Sequence, residues 1–175
     1  VLAGDREKAG RIIEQAISAV PDNDGLQILK ADHLIAVGEN DEAISIYETI
    51  LARRPSDLIV ANNLASLLSE KDDAASFERA LAAAAPLRDS ENPYFLDTYG
   101  WALYRGGRAA DGIAALEKAA AAAPGLVDAR YHFGVALIET GDAARGRVEL
   151  EAVIAAPGAD PRRVADAKRR LGLKN

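Results

Sequence analysis

The amino-acid sequence predicts an all-α protein, a solenoid of antiparallel helix pairs closed by a C-terminal capping helix. Three observations carry this reading. A pattern of small, large, glycine and proline positions recurs along the chain, with Pro21 and Pro55 lying 34 residues apart, a spacing typical of stacked helix pairs. Apolar residues make up 49% of the chain and aromatic ones only 5%, and alanine is the commonest of them, which suits helices packed closely together. Apolar and small residues also fall at i, i+3, i+4 and i+7, as in Leu96, Tyr99, Gly100 and Leu103, the spacing of one helix face.

The clearest unit begins at Pro93. Counting that residue as position 1, Gly100 falls at 8, Leu103 at 11, Gly107 at 15, Gly112 at 20, Leu116 at 24, Ala119 at 27 and Pro124 at 32. Small residues at 8, 20 and 27 let two helices approach, and large ones at 7, 11 and 24 fill the remaining space. In chain order, residues 1–23 fit the second half of such a unit, with Gly4 at position 15, Ala9 at 20, Ile13 at 24 and Ala16 at 27. The first helix of that unit is missing and the chain opens at Val1, so it is expected to be a fragment of a longer protein. Ile13, Ala16 and Ile17 then form a stripe that needs a cover.

Residues 24–57 hold a full unit with Ala31, Leu34, Gly38, Ala43, Tyr47 and Ile50 in place. Lys30 stands where leucine is usual, and its stem is expected to lie along the helix pair. Residues 58–92 start regularly with Leu64, Ala65 and Leu68, but Lys71-Asp72-Asp73 replaces the glycine turn. The second helix there is expected from about Asp73 to Ala85, with Pro86 to Pro93 as a longer connection where the stacking angle changes. Residues 93–126 and 127–159 follow the pattern, the latter through Phe133, Gly134, Leu137, Gly141, Gly146 and Leu150. Residues 160–175 give a last helix to about Leu171, with Asp160 as N-cap, Pro161 at the first helical position and a polar outer face.

Taken together these positions resemble the tetratricopeptide repeat. The resemblance implies a right-handed superhelical solenoid of about four and a half repeats plus the cap. It also implies that positions 2, 5, 6, 9, 12 and 13 of each first helix line a concave groove. Those positions place Asn62, Asn63 and Ser66, then Tyr94, Asp97, Thr98, Trp101, Tyr104 and Arg105, then Tyr131 and His132, in a peptide-binding groove. Amide side chains can both donate to and accept from an extended peptide, and Trp and Tyr offer flat apolar area with a polar tip. The competing reading is that Trp101 and Tyr131 merely pack between neighbouring repeats. On the helix from Pro93, only the stripe of Leu96, Tyr99, Gly100 and Leu103 is expected to face the partner helix. Repeats that grip the C-terminal carboxylate of chaperones resemble one another in Lys and Asn positions that here hold Ile28, Asp32, Asn63, Tyr94 and Thr98. Only Asn63 matches, so that use is rejected.

Composition excludes other classes. A net charge of −6 argues against nucleic acid, which needs a basic face. Residues 157–175 carry a local charge of +4, read as a solvated terminal helix rather than a basic docking patch. No run of 18 apolar residues spans a membrane. The sequence offers no catalytic, cofactor-binding or metal-ligating set. Cysteine is absent, His33 and His132 lie far apart without metal-ligand spacing, and no phosphate-cradling glycine loop or nucleophile elbow occurs. Asp22-Asn23-Asp24-Gly25 does not align with a calcium loop and reads as an inter-repeat turn with a helix cap.

More narrowly, Asn62-Asn63-Leu64-Ala65, Leu96-Asp97-Thr98-Tyr99-Gly100-Trp101 and Tyr131-His132-Phe133-Gly134-Val135-Ala136-Leu137 make residues 58–171 similar to the C-terminal repeats of bacterial lipoproteins associated with exosortase and exopolysaccharide systems. The expected protein is then a non-enzymatic scaffold that binds a protein or peptide. The resemblance implies a periplasmic or outer-membrane-associated location. A cytoplasmic adaptor, and a structural module that self-associates through its N-terminal half repeat, are the alternatives.

Overall fold

The computed structural model describes residues 3–174. The ends of the expected half repeat and capping segment, Val1, Leu2 and Asn175, lie outside them. Ten α-helices and one short 3-10 turn follow one another, with no strand among the described residues. They are α1 (Ala3–Ala19), α2 (Asp24–Val37), α3 (Asn40–Arg53), α4 (Leu58–Ser69), α5 (Ala74–Ala84), α6 (Pro93–Arg105), α7 (Ala109–Ala122), α8 (Val127–Glu139), α9 (Ala143–Ala155) and α10 (Pro161–Arg170), the 3-10 turn being Ala85–Leu87. Each even-numbered helix up to α8 packs against the odd-numbered helix that follows it, and α4, α6, α8 and α10 also pack side by side in sequence.

Local chemistry sets the helix ends. Asn23, Asp57, Asp73, Asn92 and Asp160 each accept a hydrogen bond from a backbone N–H in the first turn of the helix they precede, satisfying donors that the helix cannot. Three of the first helices stop at a glycine with φ near +90°, namely Gly38, Gly107 and Gly141. At each, the next residue's N–H returns to a carbonyl one turn back, as in Arg108 to Leu103 at 2.9 Å. A side chain with a Cβ would be strained there. Gly4 differs. It lies inside the first turn of α1. Where Lys71-Asp72-Asp73 replaces the glycine, Asp73 takes over by accepting from both the N–H and the hydroxyl of Ser76, at 2.8 and 2.7 Å. Those bonds hold its carboxyl below the usual range.

Glycine governs packing within the pairs as well as turns. A Cβ on Gly112 would lie 2.7 Å from the Tyr104 backbone nitrogen and 2.8 Å from the Gly100 carbonyl oxygen. One on Gly134 would lie 2.8 Å from Leu150 Cδ2. The α6–α7 and α8–α9 pairs therefore touch almost backbone to backbone, and alanines such as Ala31, Ala65 and Ala136, all without exposure, serve the same end elsewhere. Large residues fill what remains, and they form two cores. One runs from α2 to the 3-10 turn around Tyr47, Ile50, Leu64 and Leu68. The other runs from α6 to α10 around Trp101, Leu116, Phe133 and Leu150. Helix α6 serves both, giving Ala102 to the first and Trp101 to the second. The long connection after α5 is pinned by Leu87, which is fully buried in the first core.

The N-terminal stripe is covered in part: Ile13 is buried, Ala16 and Ile17 are half-buried, and Ile12 beside them is exposed. Lys30 lies along the pair as its length allows, its ammonium 3.0 Å from both Glu14 on α1 and Glu42 on α3. Hydrogen bonds to those carboxylates raise its pKa. Among the described residues no helix is long and apolar enough to cross a membrane.

The backbone proximity at Gly134 yields a stability prediction. Gly134→Leu should overpack α8 against α9 and lower unfolding stability by about 1–3 kcal/mol in urea titration; an unchanged midpoint would contradict the packing.

Candidate functional site

The even-numbered helices from α4 to α10 leave a groove of about 600 Å³ between them. Asn62, Ser66, Tyr94, Asp97, Thr98, Trp101, Tyr131 and His132 all line it. Helix periodicity brings them there, since Asn62 and Ser66 lie at i and i+4, and Tyr94, Asp97, Thr98 and Trp101 at i, i+3, i+4 and i+7.

The floor is a chain of polar and aromatic contacts. His132 and Asp97 are both 6% exposed, and Asp97 Oδ1 lies 2.8 Å from His132 Nδ1. His132 Nε2 lies 3.0 Å from Arg163 Nη1. A guanidinium can only donate, so Nε2 accepts and Nδ1–H donates to Asp97, which fixes the orientation of the ring. That ring stacks on Trp101 with centroids 4.5 Å apart and meets Tyr131 edge-on at 5.7 Å. Arg163 also covers the Tyr131 ring at 5.0 Å. Higher in the groove, the hydroxyls of Ser66 and Thr98 are 3.2 Å apart and join α4 to α6. Tyr94, 61% exposed, stands at the rim.

Burial on α6 is wider than one stripe. Asp97, Thr98 and Trp101 are all buried, alongside Gly100 and Leu103 of the stripe facing α7. Burial on α6 thus extends beyond the Leu96, Tyr99, Gly100 and Leu103 stripe that was expected to face the partner helix. In a stack, α6 has α4, α5 and α8 as neighbours as well as α7, so it must satisfy four helices at once.

Three of the sequence-predicted residues lie outside the groove lining. Asn63 donates from Nδ2 to the Tyr47 hydroxyl at 3.3 Å, and that hydroxyl donates to Asp32 at 2.6 Å. Burial and the bond to Asp32 raise the Tyr47 phenol well above its ordinary value. Tyr104 donates to Glu139 at 2.5 Å. Arg105 reaches back to the Lys71 carbonyl and the Asp72 carboxylate, both at 3.2 Å, with its guanidinium 4.2 Å above the Phe77 ring. It thereby clamps the irregular turn between α4 and α5 onto α6.

Helix α10 supplies what the sequence reading missed. Arg162 and Arg163 line the groove, and Arg163 lies 3.3 Å from Asp128 and 3.7 Å from Glu70. Arg162 had a signal, since counting Pro161 as position 1 puts it at groove position 2. Arg163 had none, because its side chain leaves the face its position assigns. Ser69, also in the lining, sits at position 12 of its repeat. The rest of α10 is anchored through Arg170, which bonds Asp166 and Glu139, each at 2.5 Å. Tyr131 donates to Asp166 at 2.8 Å; burial first, and that bond second, push its phenol up to about 12. Burial alone would raise the two carboxyls, but the hydrogen bonds from Arg170 with those from Tyr131 and Tyr104 outweigh it, and both are held below their usual range.

Residues 1–68 and 103–171 match the family model described as Tetratricopeptide repeat. No curated protein matches the chain. Among solved structures of similar fold, a thermophilic tetratricopeptide repeat protein of Thermus thermophilus has a TM-score of 0.74 at 16% identity, covering 97% of this chain and 92% of its own. MamA from residue 41 to its end, from Desulfovibrio magneticus RS-1, has a TM-score of 0.70 at 17% identity, covering 87% and 85%. YrrB, described as a tetratricopeptide repeat protein with an unusual peptide-binding site, has a TM-score of 0.59 at 20% identity, covering 94% and 84%.

Carboxyls depressed in the folded state stabilise it above their unfolded pKa, and that contribution is lost as pH falls through the folded value. Arg170→Gln should therefore cost about 1–2 kcal/mol near neutral pH, and the gap to wild type should close as pH falls through and below the usual carboxylate range. Melting temperatures of the two proteins across that range check it; a gap independent of pH would contradict the anchoring.

Proposed function

The chain belongs to the tetratricopeptide repeat family, and we propose on that premise that it is a non-enzymatic scaffold whose groove between α4 and α10 takes up a segment of another protein. The groove itself carries the reading. Its volume of about 600 Å³ lies in the range of binding clefts. Its lining offers amide, hydroxyl, aromatic and charged groups, a mixture that can meet both the main chain and the side chains of a polypeptide. The peptide-binding site in the description of YrrB supports the same use of the fold here.

The similarity of residues 58–171 to exosortase- and exopolysaccharide-associated repeat lipoproteins makes the bacterial envelope the first place to seek the partner. A cytoplasmic adaptor role is the alternative. A second reading, self-association, is favoured by Ile12 and Val20 on and just after α1, which are 56% and 51% exposed. Sedimentation over a concentration series separates the two, a strict monomer removing it.

Tyr94 is exposed and makes no side-chain bond that the fold needs, so it tests the groove without unfolding the protein. Tyr94→Ala with Arg162→Ala should weaken partner binding by about tenfold or more in envelope and cytosolic pull-downs, with an unchanged circular dichroism spectrum. Equal recovery by wild type and variant would move the site away from the groove.

A further inference from the structure

Independently of what the groove takes up, we infer that α10 is a hinged latch whose closed end is released by a proton on His132. The two ends of this helix are held by different means. At its C-terminal end Ala167 and Leu171 are buried in the core that runs from α6 to α10. There Arg170 also reaches Glu139 on α8, and Asp166 accepts from Tyr131. At the N-terminal end Pro161 and Arg162 are exposed and Val164 is half-buried, while Asp160 caps the helix from within the same segment. The polar tie between this first turn and the groove floor is Arg163.

Arg163 is seated with Nη1 3.0 Å from His132 Nε2 and its guanidinium 5.0 Å above the Tyr131 ring. A guanidinium has donors only, so the 3.0 Å contact exists only while Nε2 keeps its lone pair. Nδ1 already faces Asp97 at 2.8 Å, so a proton gained by the ring enters at Nε2. It turns the acceptor into a second donor, and two N–H groups cannot share that distance. Asp97 offsets the added charge from the other side of the ring but does not restore the acceptor. The ring is fixed in place, 6% exposed and stacked on Trp101 at 4.5 Å, so it is Arg163 that moves. The exposed carboxylates of Asp128 and Glu70, at 3.3 and 3.7 Å, receive it away from the floor, and the first turn of α10 goes with it.

The charged groups around the ring leave this step distinct. Asp97 faces it from α6, with Arg105 beyond Trp101; Asp128 faces it from α8, Arg162 and Arg163 from α10, and Glu70 from the end of α4. Arginines keep their charge throughout, and carboxylates as a class titrate below an imidazole. At the hinge end burial alone would raise Asp166 and Glu139, but their bonds to Arg170, Tyr131 and Tyr104 hold both below the usual range. That end therefore stays closed while the imidazole titrates. The released state accepts a proton at Nε2 that the docked state refuses, so docking is favoured above the imidazole step and is lost as pH falls through it.

The chain contains no cysteine, so Ile59→Cys on α4 and Ala165→Cys on α10, both at exposed positions, place two spin labels at defined sites on either side of the groove. The distance between them should lengthen by about 3 Å or more over the same pH step at which the His132 ring protonates. Imidazole NMR of the unlabelled chain locates that step, with His33→Gln separating the two histidines. In the labelled chain His132→Gln, uncharged at every pH, should hold the short distance throughout, and Arg163→Gln the long one, each checked for folding by circular dichroism. A distance that stays constant through the ring's step would overturn the inference. So would a step that persists in His132→Gln, or a short distance in Arg163→Gln. The labelled titration needs no substitution in the latch itself, so a variant that fails to fold leaves the decisive measurement standing. No ligand enters it, so failure of the latch and failure of the groove as a binding site are separate results.

Discussion

The near contact of backbones at Gly100 with Gly112, and at Gly134 with Gly146, is the constraint on which the C-terminal half depends. Helices brought that close leave no room between them for aromatic rings. The rings are displaced to the faces between repeats, where Trp101, Tyr131 and His132 pack on one another. The groove floor is thus a consequence of the small residues behind it. A larger residue at any of those glycines would reposition a whole first helix, and with it every side chain that helix gives to the groove.

Helix α6 transmits that constraint. It belongs to both cores, pairs with α7, and is flanked by α4 and α8. Its polar members are correspondingly tied to both sides, Thr98 to Ser66 on α4 and Asp97 to His132 on α8. Buried hydrogen bonds of this kind set rotation and register, because a slipped helix would leave them unpaired.

Much of this was legible in the sequence because it rests on local rules. Asp160 followed by Pro161 marks the start of α10 by chemistry that involves only neighbouring residues, and the glycine at position 15 marks a turn for the same reason. Helix α5 begins at Ala74 with Asp73 as its cap, within a residue of expectation. The resemblance to the repeat family supplied the face of each first helix expected to meet a groove. It could not supply reach. Asn63 is drawn away by Tyr47 of the preceding repeat, Arg105 by the turn after α4, and Arg163 crosses to residues its spacing does not indicate. These outcomes depend on long side chains and on which partners a neighbouring repeat offers. Spacing within a repeat contains neither.

Arrays of repeats ordinarily join each unit to the next one alone, so that events at one end fade along the stack. The contact of Arg163 with Glu70, 3.7 Å across the groove mouth, links positions that no nearest-neighbour chain would connect. It makes the last helix a strut between two walls. Folding cannot complete that link until every intervening unit is in place. Anything that spreads the walls must also stretch that contact, so the last helix is tied to a wall that lies several helices upstream.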